Sequence, residues 1–167
     1  LKDKTYQNHF DVVVTLATFH HFDNRTEKTG ENGRREAVAI FHKNLKNGGR
    51  LIMADVFNGT ISQNYFDAID NPIHAYPMGH PHDFPNSESL LRMLEEAGFK
   101  NIKLDICSVP WQFSSEIEAQ NFVHTLHNSK CKPTESLEVA KKYLGFKKIN
   151  DHNELGWELF YITEEKK

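Results

Sequence analysis

The sequence predicts an α/β layered fold built on a mainly parallel sheet. Buried-type strand patterns alternate with amphipathic helix patterns along most of the chain, and that alternation is typical of open parallel sheets covered by helices. The chain has 167 residues, of which 38% are hydrophobic and 11% aromatic, enough for one packed core. Crossovers between parallel neighbouring strands are expected to be right-handed.

The first part of the pattern consists of two strands and the helix between them. Residues 10–18, FDVVVTLAT, form a nearly continuous apolar run, which is typical of a strand covered on both faces. Residues 35–46 carry apolar side chains at helical spacing, and Gly48 and Gly49 are expected to end that helix. Residues 50–57, RLIMADVF, are predicted to form the second buried strand.

The middle of the chain begins with a segment that has no clear period. Residues 58–85 are expected to form a long loop with one helical turn, and loops of this length are often functional. A helix capped by Asn86 or Ser87 and ended by Gly98 is predicted to follow. Residues 101–107 then alternate between apolar and polar side chains, which predicts a third strand.

Two further helices and a last strand complete the pattern. Ser115 and Glu118 have the spacing of a capping box at the start of one helix. Thr134 is expected to cap the second helix, and Gly145 is expected to end it. Residues 157–163, WELFYIT, are predicted to form the last strand.

Charge and cysteine content exclude several classes of function. Lys and Arg total 20 against 23 Asp and Glu, a net charge of −3, so no electrostatic grip on nucleic acid or an anionic membrane is expected. No apolar run approaches the roughly 20 residues that a membrane-spanning helix needs. Cys107 and Cys131 are far apart and are expected to be reduced thiols, which favours a cytoplasmic location.

Three segments, in this order, resemble consecutive parts of one known family. FDVVVTLATFHHF resembles its fourth strand and the following loop, and HKNLKNGGRLIMADVF its helix end, glycine turn and fifth strand. DFPNSESLLRMLEEAGFKNIKL resembles the next helix and sixth strand, and WELFYIT fits the antiparallel seventh strand. Asn47 stands where the family usually has proline. The family is the class I S-adenosylmethionine-dependent methyltransferases, so the resemblance implies a partial Rossmann-like fold with an antiparallel last strand.

The resemblance also implies a feature that these residues lack. The family grips S-adenosylmethionine with a glycine-rich turn after its first strand and an acidic residue ending its second. Residues 1–9 contain neither feature, and no GxGxG occurs in the sequence. Residues 1–167 are therefore expected to be the C-terminal portion of a methyltransferase domain, with a helical insertion at about 114–150 and the cofactor-binding N-terminal portion absent.

The predicted site lies at the carboxyl ends of the first two strands, because ligands of open α/β sheets bind there. The resemblance implies that Leu16, Ala17 and Thr18 contact the cofactor. His20 or His21 would orient the acceptor or take its proton, since imidazole titrates near neutral pH. The alternative for both histidines is a polar loop position with no chemical role.

Two further residues are predicted to contact the substrate. Asp55 ends the second strand and would contact the acceptor or the cofactor, unless backbone amides satisfy its carboxylate. Trp111 would line an acceptor pocket together with Phe113, unless the two rings only cover a sheet edge. No metal is expected, because no cysteine accompanies the histidines of the long loop. Those histidines are His74, His80 and His82.

The expected function is methyl transfer from S-adenosylmethionine to a small-molecule acceptor, as part of a larger chain, with this chain alone inactive. The alternative is a non-catalytic half-domain that acts as a partner or scaffold. Another α/β enzyme, acting on a nucleotide sugar or with nicotinamide, is a third possibility, because open parallel sheets host many chemistries. No nucleic acid or membrane is expected as a partner. The chain is expected to be able to form a homodimer through an exposed sheet edge or face.

Overall fold

The computed structural model describes residues 6–22, 31–76 and 83–166. These residues form two compact units. The first unit takes in the described residues up to 58, those from 83 to 107 and those from 159 onward, and the second takes in the rest. The described elements, in chain order, are β1 (Phe10–Leu16), a 3₁₀ turn (Phe19–His21), α1 (Glu31–Asn44), β2 (Leu45–Asp55), α2 (Ile61–Ile69), α3 (Ser87–Ala97), β3 (Phe99–Ser108), β4 (Trp111–Phe113), α4 (Glu116–Leu126), α5 (Pro133–Leu144), β5 (Phe146–Ile149), β6 (His152–Leu155) and β7 (Glu158–Lys166).

The first unit is built on a mixed four-stranded sheet with the strand order β1-β2-β7-β3. Strand β1 runs parallel to β2, and Leu16 lies opposite Ala54 at their carboxyl ends. Strand β7 runs antiparallel to β2, and Asp55 lies opposite Phe160. The prediction of one sheet with an antiparallel last strand is therefore confirmed.

The core of the first unit lies where α1 and α3 pack on one face of this sheet. The apolar patterns predict that Val13, Leu51, Ile52, Phe41 and Leu94 are buried. Leu51, Phe41 and Leu94 are buried as predicted, whereas Val13 and Ile52 are only half-buried. Val13 packs against the buried cluster from the edge strand. The cluster consists of Phe19, Ala37, Val38, Phe41, Leu45, Leu51, Met53, Phe57, Leu90, Leu94, Phe99, Phe160 and Ile162.

The opposite face of β1 is exposed in the described part of the chain. Val12, Val14 and Leu16 expose 47%, 64% and 59% of their surface. These side chains alternate with Val13 and Thr15, so they point away from the core. The prediction that β1 is covered on both faces is therefore wrong for the described residues, although its sequence has the apolar character of such a strand.

The glycine pair does not end α1, which stops at Asn44, so that prediction was wrong. Both glycines lie inside β2, where Gly48 has a φ angle of +76°. A Cβ atom on Gly49 would lie 2.9 Å from the carbonyl oxygen of Lys46. The glycines allow β2 to bulge where its register against β1 shifts near Phe10.

The helix α2 lies within the segment 58–85, which was predicted to be a loop with one helical turn. Its start is capped by Thr60, whose hydroxyl oxygen accepts from the Gln63 amide at 3.2 Å, and the amide of the preceding Gly59 donates to Gln63 Oε1 at 2.6 Å. The prediction therefore missed a helix with its own start signal. The buried face of α2 consists of Ser62, Tyr65, Phe66 and Ile69.

The second unit combines α2, α4 and α5 with a small antiparallel sheet of order β4-β6-β5. The sequence pattern predicted the two later helices but not this sheet, whose strands are three or four residues long. The region 114–150, expected as a helical insertion, thus contains α4, α5 and the strand β5.

The helix ends of the second unit follow the sequence signals in part. Ser115 caps α4 by accepting from the Glu118 amide at 3.1 Å, and the Glu118 carboxylate accepts from the Ser114 amide at 2.7 Å. Helix α5 begins at Pro133, so the prediction that Thr134 caps it was wrong. Proline suits the first helical position because it has no amide hydrogen to satisfy. Gly145 ends α5 as predicted, with a φ angle of +73°.

Two negative findings hold for the described residues. None of their helices combines the length and apolar character that crossing a bilayer requires. In the same residues, no group of three or more His, Cys, Asp or Glu side chains is placed to hold a metal ion. Of the loop histidines, His80 and His82 lie outside the described residues, whereas His74 places Nδ1 3.4 Å from the Cys131 sulfur.

Candidate functional site

The carboxyl ends of β1 and β2 lie side by side because the two strands are parallel. Just beyond the last pair of the ladder, the Ala17 amide donates to the Ala54 carbonyl oxygen at 2.8 Å. The residues that the sequence assigns to cofactor contact therefore adjoin Asp55, which it assigns to the substrate. This edge is where open α/β sheets bind ligands.

The chain leaves β1 by a sharp turn at Ala17. Ala17 has a φ angle of +47°, in the left-handed region that non-glycine residues seldom adopt. The Thr18 hydroxyl donates to the Leu16 carbonyl oxygen at 2.8 Å, which closes the turn. The side chains of Leu16 and Thr18 remain exposed at the end of the strand. Backbone strain of this kind persists only where surrounding bonds impose it.

Asp55 anchors the residues after this turn to the neighbouring strand. Its Oδ1 lies 2.8 Å from His20 Nδ1 and accepts from the Val56 amide at 2.8 Å. Its Oδ2 accepts from the His20 amide at 3.1 Å. His20 is 5% exposed and Asp55 is fully buried. An ionised carboxylate can only accept hydrogen bonds, so this geometry assigns the imidazole proton to Nδ1.

The two histidines of the turn differ in access to solvent. The His20 ring is buried, with its centroid 5.3 Å from the Phe84 ring and 4.0 Å from the His21 ring. His21 is exposed. The carboxylate of Asp55 is occupied by groups of its own chain, which favours the alternative in which backbone amides satisfy it. Only His21 of the pair therefore presents its ring to a molecule in solution.

The comparison with protein families covers the part of the chain that contains β1, β2 and the turn between Leu16 and His21. Residues 2–104 match the sequence model of a family described as a methyltransferase domain. The chain belongs to this family. Membership supports methyl transfer as its general chemistry and leaves the acceptor open. No curated protein sequence matches the chain significantly.

Solved structures show that this methyltransferase domain has a Rossmann-like α/β fold. A Bacillus halodurans protein assigned as a methyltransferase is similar with a TM-score of 0.60 at 14% identity, over 99% of this chain and 73% of its own. A SAM-dependent methyltransferase from Thermotoga maritima gives 0.54 at 15% identity, over 97% and 58%. A phosphoethanolamine N-methyltransferase of Haemonchus contortus, solved with S-adenosyl-L-methionine, gives 0.50 at 14% identity, over 96% and 34%.

Trp111 belongs to the second unit and lies beyond the residues that match the methyltransferase-domain family, and it lines a groove. Its ring stacks on Trp157 with centroids 4.1 Å apart, and the Phe122 ring meets it edge-on at 4.8 Å. The groove between β4 and α4 has a volume of about 1040 Å³. Trp111 therefore packs on a neighbouring ring and also faces the groove, and its contact with an acceptor stays a prediction.

Two buried polar groups of the described residues have no clear sequence signal. Glu164 in β7 is 3% exposed, neither of its carboxylate oxygens has a hydrogen-bond partner among the described residues, and burial raises its pKa to about 8. In the second unit, burial and the nearby Asp70 raise the pKa of Tyr65 well above its ordinary value. His127 places Nδ1 3.0 Å from Asp70 Oδ1 beside that ring. Tertiary burial, which no local pattern encodes, produces both features.

Proposed function

We propose that the protein carrying this domain transfers a methyl group from S-adenosylmethionine to a small-molecule acceptor. The observation that carries the proposal is the strained turn at Ala17, held at the carboxyl ends of two adjacent parallel strands. This position is the ligand-binding edge of an open α/β sheet. The match to the methyltransferase-domain family, and the cofactor in the similar Haemonchus structure, support the choice of ligand.

The residues at this edge fit part of a cofactor contact. Leu16 offers an exposed apolar side chain, and Ala17 and Thr18 offer small ones close to the backbone, which suits the uncharged parts of S-adenosylmethionine. Asp55 does not fit a ribose ligand, because His20 and the following amide occupy its oxygens. We propose that a glycine-rich turn outside these 167 residues supplies the remaining polar contacts, since no GxGxG occurs among them.

The proposed roles of the turn residues follow from their exposure to solvent. When bound, S-adenosylmethionine would supply a sulfonium methyl group for in-line displacement by the acceptor, with the thioether S-adenosylhomocysteine as the leaving group. Asp55 fixes the backbone and ring of His20 and thereby holds the turn in one conformation. His21, exposed on the same turn, is the residue placed to take a proton from the acceptor. The chain contributes mainly by aligning the acceptor with the methyl group and by excluding water.

Radiolabelled methyl transfer by the full protein tests the proposal. We expect transfer from S-adenosylmethionine to at least one member of a panel of small acceptors. A His21→Ala variant should lower kcat and alter its pH profile while cofactor affinity is kept. A protein that binds the cofactor but transfers no methyl group to any acceptor would contradict catalysis, and one that binds no cofactor would contradict the whole proposal.

A non-catalytic half-domain is the second candidate, and the absent glycine-rich turn is the observation that favours it. The coding sequence upstream of Leu1 separates the two. A predicted strand followed by a glycine-rich turn there supports the enzyme, whereas a start codon immediately upstream supports a partner or scaffold module.

A further inference from the structure

The groove between β4 and α4 in the second unit has aromatic walls. Trp111 and Phe113 lie on β4, and Phe122 reaches the groove from α4. The Phe122 ring centroid lies 4.8 Å from that of Trp111 and 5.4 Å from that of Phe113. Phe122 is 36% exposed, so its ring remains open to a ligand. The volume of about 1040 Å³ lies at the upper end of the range typical of small-molecule binding sites.

The charge of the groove has one sign. Its lining contains no Lys, Arg or His, and Glu118 is its single acidic residue. The Ser114 hydroxyl and amide each donate to Glu118 Oε2 at 2.7 Å, so the carboxylate is held in place. These hydrogen bonds, the hydroxyl bond first, lower the pKa of Glu118, which keeps it ionised at neutral pH. The second oxygen, Oε1, takes no part in these bonds.

A fixed carboxylate beside aromatic rings selects one class of ligand. Aromatic faces attract organic cations through the negative face of the ring, and a nearby carboxylate adds Coulomb attraction. An anionic ligand would meet repulsion and find no basic partner in this lining. We infer that the groove between β4 and α4 binds a small organic ammonium group, with Trp111 and Phe122 against its alkyl surface and Glu118 against its charge.

The ammonium site stands on the geometry of the second unit alone. It does not rest on the proposed function, because no residue of the proposed methyl-transfer edge lines the groove. The test therefore contains no cofactor. Loss of ammonium binding would overturn the site and leave methyl transfer untouched, whereas loss of methyl transfer would leave the site standing.

The test titrates the 167-residue chain with choline and with 3,3-dimethyl-1-butanol, its uncharged counterpart of the same shape, at constant ionic strength. Tryptophan fluorescence and amide chemical shifts report binding. We expect choline to saturate with shifts concentrated in residues 111–126, and the neutral alcohol to bind at least about threefold more weakly. Equal binding of the two, shifts confined to other segments, or no choline binding up to about 50 mM would overturn the inference.

Three variants assign the effect to the named groups. Glu118→Gln keeps an acceptor for Ser114 but removes the charge, and Phe122→Leu keeps an apolar side chain but removes the ring. Each should weaken choline binding about threefold or more and leave binding of the alcohol unchanged. Glu138→Gln, on α5 and outside the groove lining, is the matched charge control and should bind choline as the parent does. Equal affinities in all three variants would overturn the assignment.

Discussion

The Nδ1 atom of His20 lies 2.8 Å from Oδ1 of Asp55, which joins residues 35 positions apart at the ends of β1 and β2. The other carboxylate oxygen accepts the His20 amide at 3.1 Å. One buried side chain thus ties both the backbone and the ring of the turn after β1 to the neighbouring strand. The conformation of the proposed cofactor contact depends on this pair.

Replacing Asp55 by Ala should destabilise the first unit by about 3 kcal/mol, because it leaves buried donors of His20 and Val56 without an acceptor. Urea unfolding measures the change. Asp11→Ala is the matched control, because that carboxylate is exposed and pairs with Lys46 at the surface. The control should unfold like the parent, and equal losses in the two variants would contradict a structural role for the buried pair.

Replacing Ala17 by Gly should leave stability within about 0.5 kcal/mol of the parent, because relief of the left-handed strain offsets the greater freedom of glycine in the unfolded chain. Ala39→Gly, at an exposed position inside α1, should instead cost about 1 kcal/mol. Thermal unfolding of both variants checks the contrast. A larger loss at Ala17 than at Ala39 would show that Ala17 is unstrained.

Glu164 should make stability fall as pH rises. Its pKa is raised from 4.5 to about 8 in the folded protein, so between these values the folded state binds more protons than the unfolded state. The stabilisation is fully present below the ordinary pKa and is lost as pH rises through the folded one, with a slope of up to about 1.4 kcal/mol per pH unit.

Denaturant unfolding between these pH values measures that slope. Glu164→Gln should abolish it and stabilise the protein at the alkaline end, because a neutral amide needs no proton to be buried. Glu165→Gln, one residue along on the other face of β7, should keep it. A Glu164→Gln variant with the parent's pH dependence would show that another group carries the effect.

The exposed face of β1 should drive self-association. Val12, Val14 and Leu16 form an apolar row on an edge strand of the described sheet, and such edges recruit other chains. Val14→Lys should shift the chain toward monomer in light scattering over a range of concentrations. Ile73→Lys, equally apolar and exposed but in the second unit, should not. A parent chain that stays monomeric throughout would contradict this prediction.

Local sequence signals predicted the helices that have clear capping residues at their ends. Asn86 caps α3 by accepting from the Ser89 amide at 2.7 Å, and Gly98 ends it with a φ angle of +102°. The helix α2 was missed although Thr60 and Gln63 cap it, because the surrounding segment is rich in proline and has no long apolar period. The short strands β4, β5 and β6 are too brief for alternation to show.

The candidate site was predictable in position but not in detail. The alignment of parallel strands brings the residues after β1 and β2 together, as the family resemblance implied. The bond between His20 and Asp55 depends on the register of strands far apart in sequence, so no local pattern could assign the carboxylate to the chain's own backbone. The burial of Glu164 without a hydrogen-bond partner among the described residues was not predictable either, because it results from tertiary packing on the sheet.

The cofactor contact at Leu16, Ala17 and Thr18 is tested most directly by titrating the isotope-labelled chain with S-adenosylmethionine and following its amide chemical shifts. We predict that the first and largest shifts fall on these residues and on His20, with half-saturation above about 0.1 mM because the glycine-rich turn is not among the 167 residues. Shifts that bypass Leu16, Ala17 and Thr18, or micromolar binding by a monomeric chain, would contradict the assignment.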